Sequence, residues 1–229
     1  MERVMLITGA SSGIGAATAR AAAREGYKLV LTARSQERLE PLVQELGPEN
    51  VLSVAMDVTD MAAQQAMVEQ TLERFGRLDA VFANAGRGGS PGGFSGADHE
   101  AWRDMILTNI YGLGLTVQAT LPALRKAQGH VLITGSAAGR ATIPGSMYGA
   151  TKWAVTGLGH NLREELRGSG IRVTLIEPGM VDTPFFDAPP ENALEARDIA
   201  SAVLYALDQP AHVDINELLV RPTPPRAED

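Results

Sequence analysis

The stretch that decides the fold is Arg3-Val4-Met5-Leu6-Ile7-Thr8-Gly9-Ala10-Ser11-Ser12-Gly13-Ile14-Gly15, with the alanine-rich run from Ala16 to Glu25 behind it. Arg3 to Thr8 is a short apolar run, the kind found in a strand buried on both faces. Ala16 to Glu25 reads as helix. A glycine loop of pattern G-x-x-x-G-x-G joins them. Strand, glycine loop and helix, in that order, are the context a nucleotide-binding fingerprint requires. Gly9 would permit the tight turn, Gly13 would let the backbone approach a pyrophosphate, and Gly15 would let helix and strand pack closely. The helix N-terminus would then offer free N–H groups and a positive dipole end to the phosphates. The spacing is not G-x-G-x-x-G, and a glycine loop can be a tight turn without a ligand, so the reading leans on the flanking elements.

Outward from that unit, strands and helices alternate to the end of the chain. Lys28 to Thr32 is the second strand and Glu37 to Leu46 the next helix, stopped by Gly47-Pro48. Val51 to Ala55 is the third strand, Met61 to Phe75 an amphipathic helix, and Asp79 to Ala83 the fourth strand. Arg87 to Gly96 holds five glycines in ten residues and reads as a mobile loop. Helix resumes from Asp98 to about Lys126; His130 to Thr134 is strand five, and the Tyr148 helix runs to about Arg167. Ile171 to Ile176, the helix Ala196 to Leu207 and the strand Glu217 to Arg221 complete the series, with Pro222 to Asp229 as a frayed tail. Such alternation means α/β architecture: one domain over residues 1–229, a parallel sheet with helices on both faces.

Composition narrows the function. The chain has 229 residues, enough for one sizeable core and too few for two comfortable domains. A net charge of -7 argues against a nucleic-acid partner. There is no cysteine, which excludes disulfides and thiolate metal sites, and His99, His130, His160 and His212 are scattered without metal-ligand spacing, so no metal is expected. No run of eighteen apolar residues and no signal-peptide pattern occurs; the expectation is a cytoplasmic protein with no membrane partner.

Chemistry enters at Tyr148-Gly149-Ala150-Thr151-Lys152. Residues i and i+4 stand on one helix face, so a phenol and an ammonium lie side by side. A nearby cation lowers a tyrosine pKa from its ordinary value near ~10, which suits Tyr148 to general acid/base work. The same spacing on a surface helix would be only a tyrosine packed along a lysine stem. Ser136 follows strand five, at the carboxyl end where ligands bind in open α/β sheets. Asn109 sits inside a helical stretch, a poor place for asparagine unless its side chain bonds something specific. Ala33-Arg34-Ser35 ends the second strand where a NAD site would carry an acid; a cation there suits a 2′-phosphate, so NADP is favoured over NAD. Asp57, just past strand three, could accept from an adenine amino group or cap the helix near Asp60.

Taken together, Thr8 to Gly15, Asp57-Val58, Asn84-Ala85-Gly86, Asn109, Ser136, Tyr148-x-x-x-Lys152 and Pro178-Gly179-x-x-x-Thr183 resemble the short-chain dehydrogenase/reductase family over essentially the whole chain. The resemblance implies a Rossmann-type doubly wound sheet of about seven strands. It implies a catalytic tetrad of Asn109, Ser136, Tyr148 and Lys152. Ser136 would hold the substrate carbonyl, Tyr148 would deliver the proton to its oxygen, and Lys152 would bind the nicotinamide ribose and depress the Tyr148 pKa. Asn109 would hold a water linking Lys152 to solvent. The cofactor contacts it implies are Gly9, Ser11, Ser12, Gly13, Ile14 and Gly15 in the loop, Arg34 at the 2′-phosphate, Asp57 and Val58 at the adenine, and Asn84, Ala85 and Gly86 along the ribose. Tyr148, Lys152, Pro178 and Gly179 join these, with Val181 and Thr183 at the carboxamide. Substrate contacts are expected from Ser136, Ala138, Ile143, Met147, Met180 and Phe185. Family habit adds a homodimer or homotetramer, with Leu113, Leu115, Val117, Trp153, Val155 and Leu158 on the helices of one interface.

Three departures colour the expectation. Ser136 precedes Tyr148 by twelve positions where many members have one more. Ser12 stands where some NADP-using members carry a cation, so the NADP preference rests on Arg34. The segment from Thr183 to Ala196 is short for a lid, and its Phe185, Phe186 and Pro189-Pro190 suggest an open, apolar pocket for a range of carbonyl compounds. The ending Asn216 to Thr223 resembles broad reductases of hydroxy acids and small ketones. The leading expectation is therefore an NADP(H)-dependent carbonyl reductase or alcohol dehydrogenase. A 3-oxoacyl thioester reductase is the nearest rival, and a non-catalytic NADP-sensing protein is the reading from another class.

Overall fold

The computed structural model describes residues 2–89 and 91–224. Its strands are β1 (Val4–Thr8), β2 (Lys28–Ala33), β3 (Val51–Ala55), β4 (Ala80–Ala83), β5 (His130–Thr134), β6 (Arg172–Pro178), the two-residue pair β7 (Val181–Asp182) and β8 (Leu194–Glu195), and β9 (Glu217–Val220). Seven of them form one sheet in the order β3-β2-β1-β4-β5-β6-β9, parallel throughout. The helices are α1 (Gly13–Arg24), α2 (Glu40–Leu46), α3 (Met61–Phe75), α4 (Gly93–Gly96), α5 (His99–Ile106), α6 (Leu113–Ala127), α7 (Met147–Glu165) and α8 (Ala196–Leu207).

The strands are apolar at consecutive positions because both faces are covered. Met5 and Ile7 point to one face, where Leu29, Leu31, Phe82 and Ile176 join them under α1 and α8. Val4 and Leu6 point to the other, where Val30, Val81, Val131 and Val173 meet Met67 of α3, Leu124 of α6 and Val155 of α7. Ala19 and Ala22 of α1 are fully buried, so the alanines let that helix lie close to the sheet. Ile199 and Val203 of α8 are also at 0% exposure, and each contributes roughly 1.5–3 kcal/mol by leaving water. An Ile199→Ala change would open a cavity costing about 2–5 kcal/mol.

The chain runs from β1 outward to β2 and β3, then returns to β4 on the opposite side of β1. At that reversal the crossovers leave on opposite faces and a crevice opens beyond the carboxyl ends of β1 and β4. Most of the candidate cofactor-binding and catalytic residues follow the carboxyl ends of the sheet strands or lie on α7; Asn109 lies between α5 and α6.

The sequence expectations hold for β3, β5, α3 and α8 to the residue. Four differ. The second helix begins at Glu40, not Glu37, because residues 37–39 form turns. The helix expected from Asp98 to Lys126 is two α-helices joined by a π-helical turn, Leu107–Gly112, that carries Asn109. The glycine-rich 87–96 loop contains one helical turn, α4. The cap of α3 is Asp60, which accepts from the N–H groups of Ala62 and Ala63 at 2.9 and 3.1 Å, so Asp57 is not the cap. Of the expected tail, residues 222–224 form neither helix nor strand, and residues 225–229 lie outside the described residues. Among the described residues no helix is long and apolar enough to cross a membrane, and no cluster could hold a metal ion.

Candidate active site

A cleft of about 360 Å³ lies over the carboxyl ends of the strands. Its nucleotide end is built from backbone. Gly9 and Gly13 have φ of +65° and +52°, in the left-handed region that side chains resist. Gly15 packs against the Gly9 carbonyl so closely that a Cβ would collide with it, so this glycine serves helix–strand packing and does not line the cleft. Ser12 is the N-cap of α1 but makes no side-chain cap bond, so the first N–H groups of the helix remain available to an anion. Ser11, Ser12, Gly13 and Ile14 all line the cleft there. Beyond β2 and β3, Arg34, Arg38, Asp57 and Val58 line it too. Among the described residues neither Arg34 nor Arg38 forms an ion pair. Asp57 is held below the usual carboxylate range, first by the Thr59 N–H, then by the Thr59 hydroxyl and the charges of Arg34 and Arg87. Two uncommitted guanidinium groups beside glycines that admit a close approach fit a phosphorylated dinucleotide.

Asn84, Ala85 and Gly86 line the middle of the cleft. The Asn84 amide is itself committed to the protein: it donates to the carbonyls of Thr8 and Gly9 at 3.1 and 3.3 Å and accepts from the Thr134 hydroxyl at 3.0 Å. Its backbone N–H and that of Ala85 both donate to Thr8 Oγ1 at 3.0 Å. Asn84 thus ties the ends of β1, β4 and β5 together and fixes the floor.

At the far end Ser136, Tyr148 and Lys152 line the same cleft, with Pro178, Gly179, Val181 and Thr183 opposite. Ser136 Oγ accepts from the Ala138 N–H at 3.1 Å, which fixes its rotamer. Tyr148 enters in the first turn of α7, a helix capped by Ser146 through the Gly149 N–H at 2.9 Å. Lys152, only 5% exposed, donates from Nζ to the Thr134 carbonyl at 2.8 Å and stands 5.7 Å from the centre of the Tyr148 ring. Asn109 lies behind them, 2% exposed. Its side chain accepts from the Arg87 N–H at 2.8 Å and donates to the Arg87 carbonyl at 2.9 Å and to Thr151 Oγ1 at 3.0 Å. Thr151 Oγ1 in turn donates to the Tyr148 carbonyl at 2.8 Å. The π turn is what lets Asn109 face inward and clamp the loop after β4 to the first turn of α7.

One electrostatic expectation is corrected. Tyr148 is not depressed: burial pushes its pKa above the ordinary value, and the hydrogen bond with Ser136 opposes this only in part. Burial also lowers Lys152, to about 8. The Lys152 ammonium donates to the Thr134 carbonyl, and the only group that offsets the desolvation of the phenol is Ser136. Tyr148 therefore holds its proton at neutral pH, the state required of a donor.

The short chain dehydrogenase family profile matches residues 3–193. An uncharacterized oxidoreductase of Staphylococcus haemolyticus is 40% identical over 225 residues, covering 96% of this chain and 97% of the relative. The alcohol dehydrogenase of the archaeon Thermococcus sibiricus, solved with 5-hydroxy-NADP, superposes with a TM-score of 0.91 at 36% identity over the full length of both chains. The serine dehydrogenase of Escherichia coli superposes with a TM-score of 0.87 at 36% identity, covering 95% of this chain and 96% of its own. The chain belongs to the short-chain dehydrogenase family.

Within this short-chain dehydrogenase the residues expected to contact substrate divide, and Ser136 is one that lines the cleft. Phe185 lines the cleft, but Ala138, Ile143, Met147 and Met180 do not. Ala138 is buried and contributes only its N–H to Ser136, while Ile143 and Met180 are exposed at the surface. The helix residues expected at an interface also divide. Leu113, Leu115, Val117 and Val155 are buried in the protein's own core, whereas Trp153 is 50% exposed and is joined by Tyr111, at 51%, which sequence reasoning passed over. Arg38 was missed as well, although it stands one turn beyond Arg34. So was Arg140, which closes the turn after Ser136. Its Nε donates to both oxygens of Glu177 at 2.8 and 3.0 Å, and Glu177 is only 1% exposed. Arg140 also pairs with Glu217, which His160 meets at 2.6 Å. The Ser136 loop is thereby pinned to β6 and β9. The sequence signal for this strut is an acidic residue directly after the apolar Leu175 and Ile176 of β6.

Proposed function

We propose that the protein is an NADP(H)-dependent oxidoreductase that interconverts a carbonyl compound and its alcohol. The observation that supports this reading best is the convergence of Ser136, Tyr148 and Lys152 at one end of a cleft whose other end carries the unpaired Arg34 and Arg38. The relative solved with an NADP derivative adds to it. Arg34 and Arg38 would hold the 2′-phosphate, the α1 N-terminus the pyrophosphate, and Lys152 the ribose beside the nicotinamide. When bound, the nicotinamide would supply or accept the hydride. The chain's own part is to bind, orient and move one proton. Ser136 donates a hydrogen bond to the substrate oxygen and holds it. Tyr148, kept protonated by burial, delivers its proton to that same oxygen. The Asn109–Thr151 clamp holds the Tyr148 turn in place.

The acidity of the chain disfavours an acyl-carrier thioester as substrate, and the complete Asn-Ser-Tyr-Lys set disfavours a purely sensing role. A second copy would cover the half-exposed Tyr111 and Trp153 in a homodimer or homotetramer. The test is cofactor consumption by the purified protein with NADPH or NADH and a panel of aldehydes, ketones and keto esters. Turnover with NADPH above NADH supports the proposal; NADH working better would refute the role given to Arg34 and Arg38.

A further inference from the structure

Phe185 stands two residues beyond Thr183, and Thr183 accepts from the N–H groups of both Phe185 and Phe186. Thr183 also packs on Gly13, where a Cβ would come within 3.1 Å of it. The aromatic segment is thus fastened to the phosphate-binding loop. From there the Phe185 ring reaches across the cleft mouth to Tyr148, with ring centres 5.6 Å apart, and Phe186 backs it edge-on at 5.2 Å. On its other side the ring rests on Gly88, in the loop after β4. A Cβ at residue 88 would strike the ring, coming within 2.6 Å of its Cε1 as well as onto Cζ. Gly88 lacks the positive φ that keeps side chains out elsewhere in this loop, as at Gly89. What residue 88 must leave free is therefore the space occupied by Phe185.

Charge adds a second observation. From the segment after β6 the cleft is lined by Pro184, Phe185 and Phe186, which bring no charge to it. Among the described residues lining the cleft, the cations near Tyr148 are engaged: Arg87 with Asp104 and Lys152 with the Thr134 carbonyl. An anionic group beside the reacting carbonyl would meet this apolar wall and, among the described residues lining that end of the cleft, no uncommitted cation, so its desolvation would go uncompensated.

We infer that Gly88 and Phe185 form the substrate-selecting wall of this site: the bare Cα of Gly88 seats the Phe185 ring beside Tyr148, so the site favours neutral carbonyl compounds with a planar apolar group over carboxylate-bearing ones. The inference rests on the reductase reading and names its substrate class. It also sets this chain apart from the serine dehydrogenase it resembles, whose named substrate carries a carboxylate.

Three matched probes test it: ethyl benzoylformate (neutral, aryl), benzoylformate (its free acid) and ethyl pyruvate (neutral, small). The wild-type protein is expected to prefer the aryl ester to both. Phe185→Ala removes the ring. Gly88→Ala leaves the backbone unstrained and pushes the ring's far end off its seat. Each is expected to lower kcat/KM for ethyl benzoylformate relative to that for ethyl pyruvate about three- to tenfold, the worth of one aromatic contact. In the Phe185→Ala background, Gly88→Ala is expected to do nothing further, because no ring remains to displace. Benzoylformate turned over as well as its ester, or effects of the two substitutions that multiply, would overturn the inference. Calorimetric binding of ethyl mandelate and of mandelate in the presence of NADP separates the two readings. Ethyl mandelate bound by the wild type and weakened by both substitutions, with no keto compound reduced, would remove the reductase reading and leave the wall. Ethyl mandelate bound equally by all three proteins, or by none, would remove the wall.

Discussion

Lys152 is a lysine buried without a carboxylate, and its removal has a consequence that can be worked out. The perturbation is Lys152→Met, made in a Tyr148→Phe background so that the neighbouring phenol does not titrate. Burial brings the Lys152 pKa from the ordinary 10.5 down to about 8 in the folded chain. That is about 2.5 pH units, or about 3 kcal/mol at about 1.4 kcal/mol per unit. The sign follows from proton binding. Between about pH 8 and 10.5 the unfolded chain keeps the lysine proton while the folded chain has shed it, so the unfolded state binds more protons and stability rises with pH. Below about pH 8 both states are charged and the folded state carries the full desolvation cost. The assay is urea unfolding of Tyr148→Phe and of Tyr148→Phe/Lys152→Met at fixed pH values across the window. The stability of the lysine-containing protein, relative to its methionine partner, should climb by about 3 kcal/mol and then level off. All other titrations cancel in that difference. A flat difference would mean that the fold leaves the ammonium as well solvated as the open chain does. A falling one would mean that the fold stabilises the charge. Either would refute the reasoning about burial and the electrostatics built on it.

The other expectations are more direct. Arg140→Ala leaves the Glu177 carboxylate buried without its cation and should destabilise the protein by about 3–5 kcal/mol in denaturant unfolding, with much of the loss recovered by adding Glu177→Gln. Arg34→Ala and Arg38→Ala should each weaken NADPH by about 1.5–3 kcal/mol in a fluorescence titration and leave NADH unchanged, since only the former carries the 2′-phosphate. His130, buried beside Thr174 and lowered to about 3, is neutral in the fold; below its ordinary value of 6.5 the unfolded chain binds the extra proton, so stability should fall by about 1.4 kcal/mol per pH unit as acid is added, a slope that His130→Gln should remove.

Much of the fold was legible because its signals are local. The β1–glycine loop–α1 unit, the amphipathic α3 and the apolar run of β5 each declare themselves within a short stretch of sequence. That Tyr148 and Lys152 share one face of α7 and line one cleft was legible for the same reason, since four residues of helix separate them. What escaped reading depends on distant partners. Nothing near Glu177 says that Arg140 will neutralise it, and nothing near Gly88 says that Phe185 will rest there. Asn109 was recognised as misplaced in a helix, but neither its π turn nor its hold on Thr151 could be foreseen from composition. The Tyr148 pKa went the other way from expectation because spacing shows that Lys152 is near, while only the fold shows where its ammonium points and how dry the phenol is.

The central claim is that Tyr148 delivers the proton in an NADPH-dependent carbonyl reduction. Its most direct test compares wild type with Tyr148→Phe, following NADPH oxidation by ethyl benzoylformate alongside NADPH binding by fluorescence. The account predicts unchanged NADPH affinity and a loss of turnover of about 10²–10⁴-fold, the usual worth of a positioned general acid. Turnover surviving in the phenylalanine variant would contradict it.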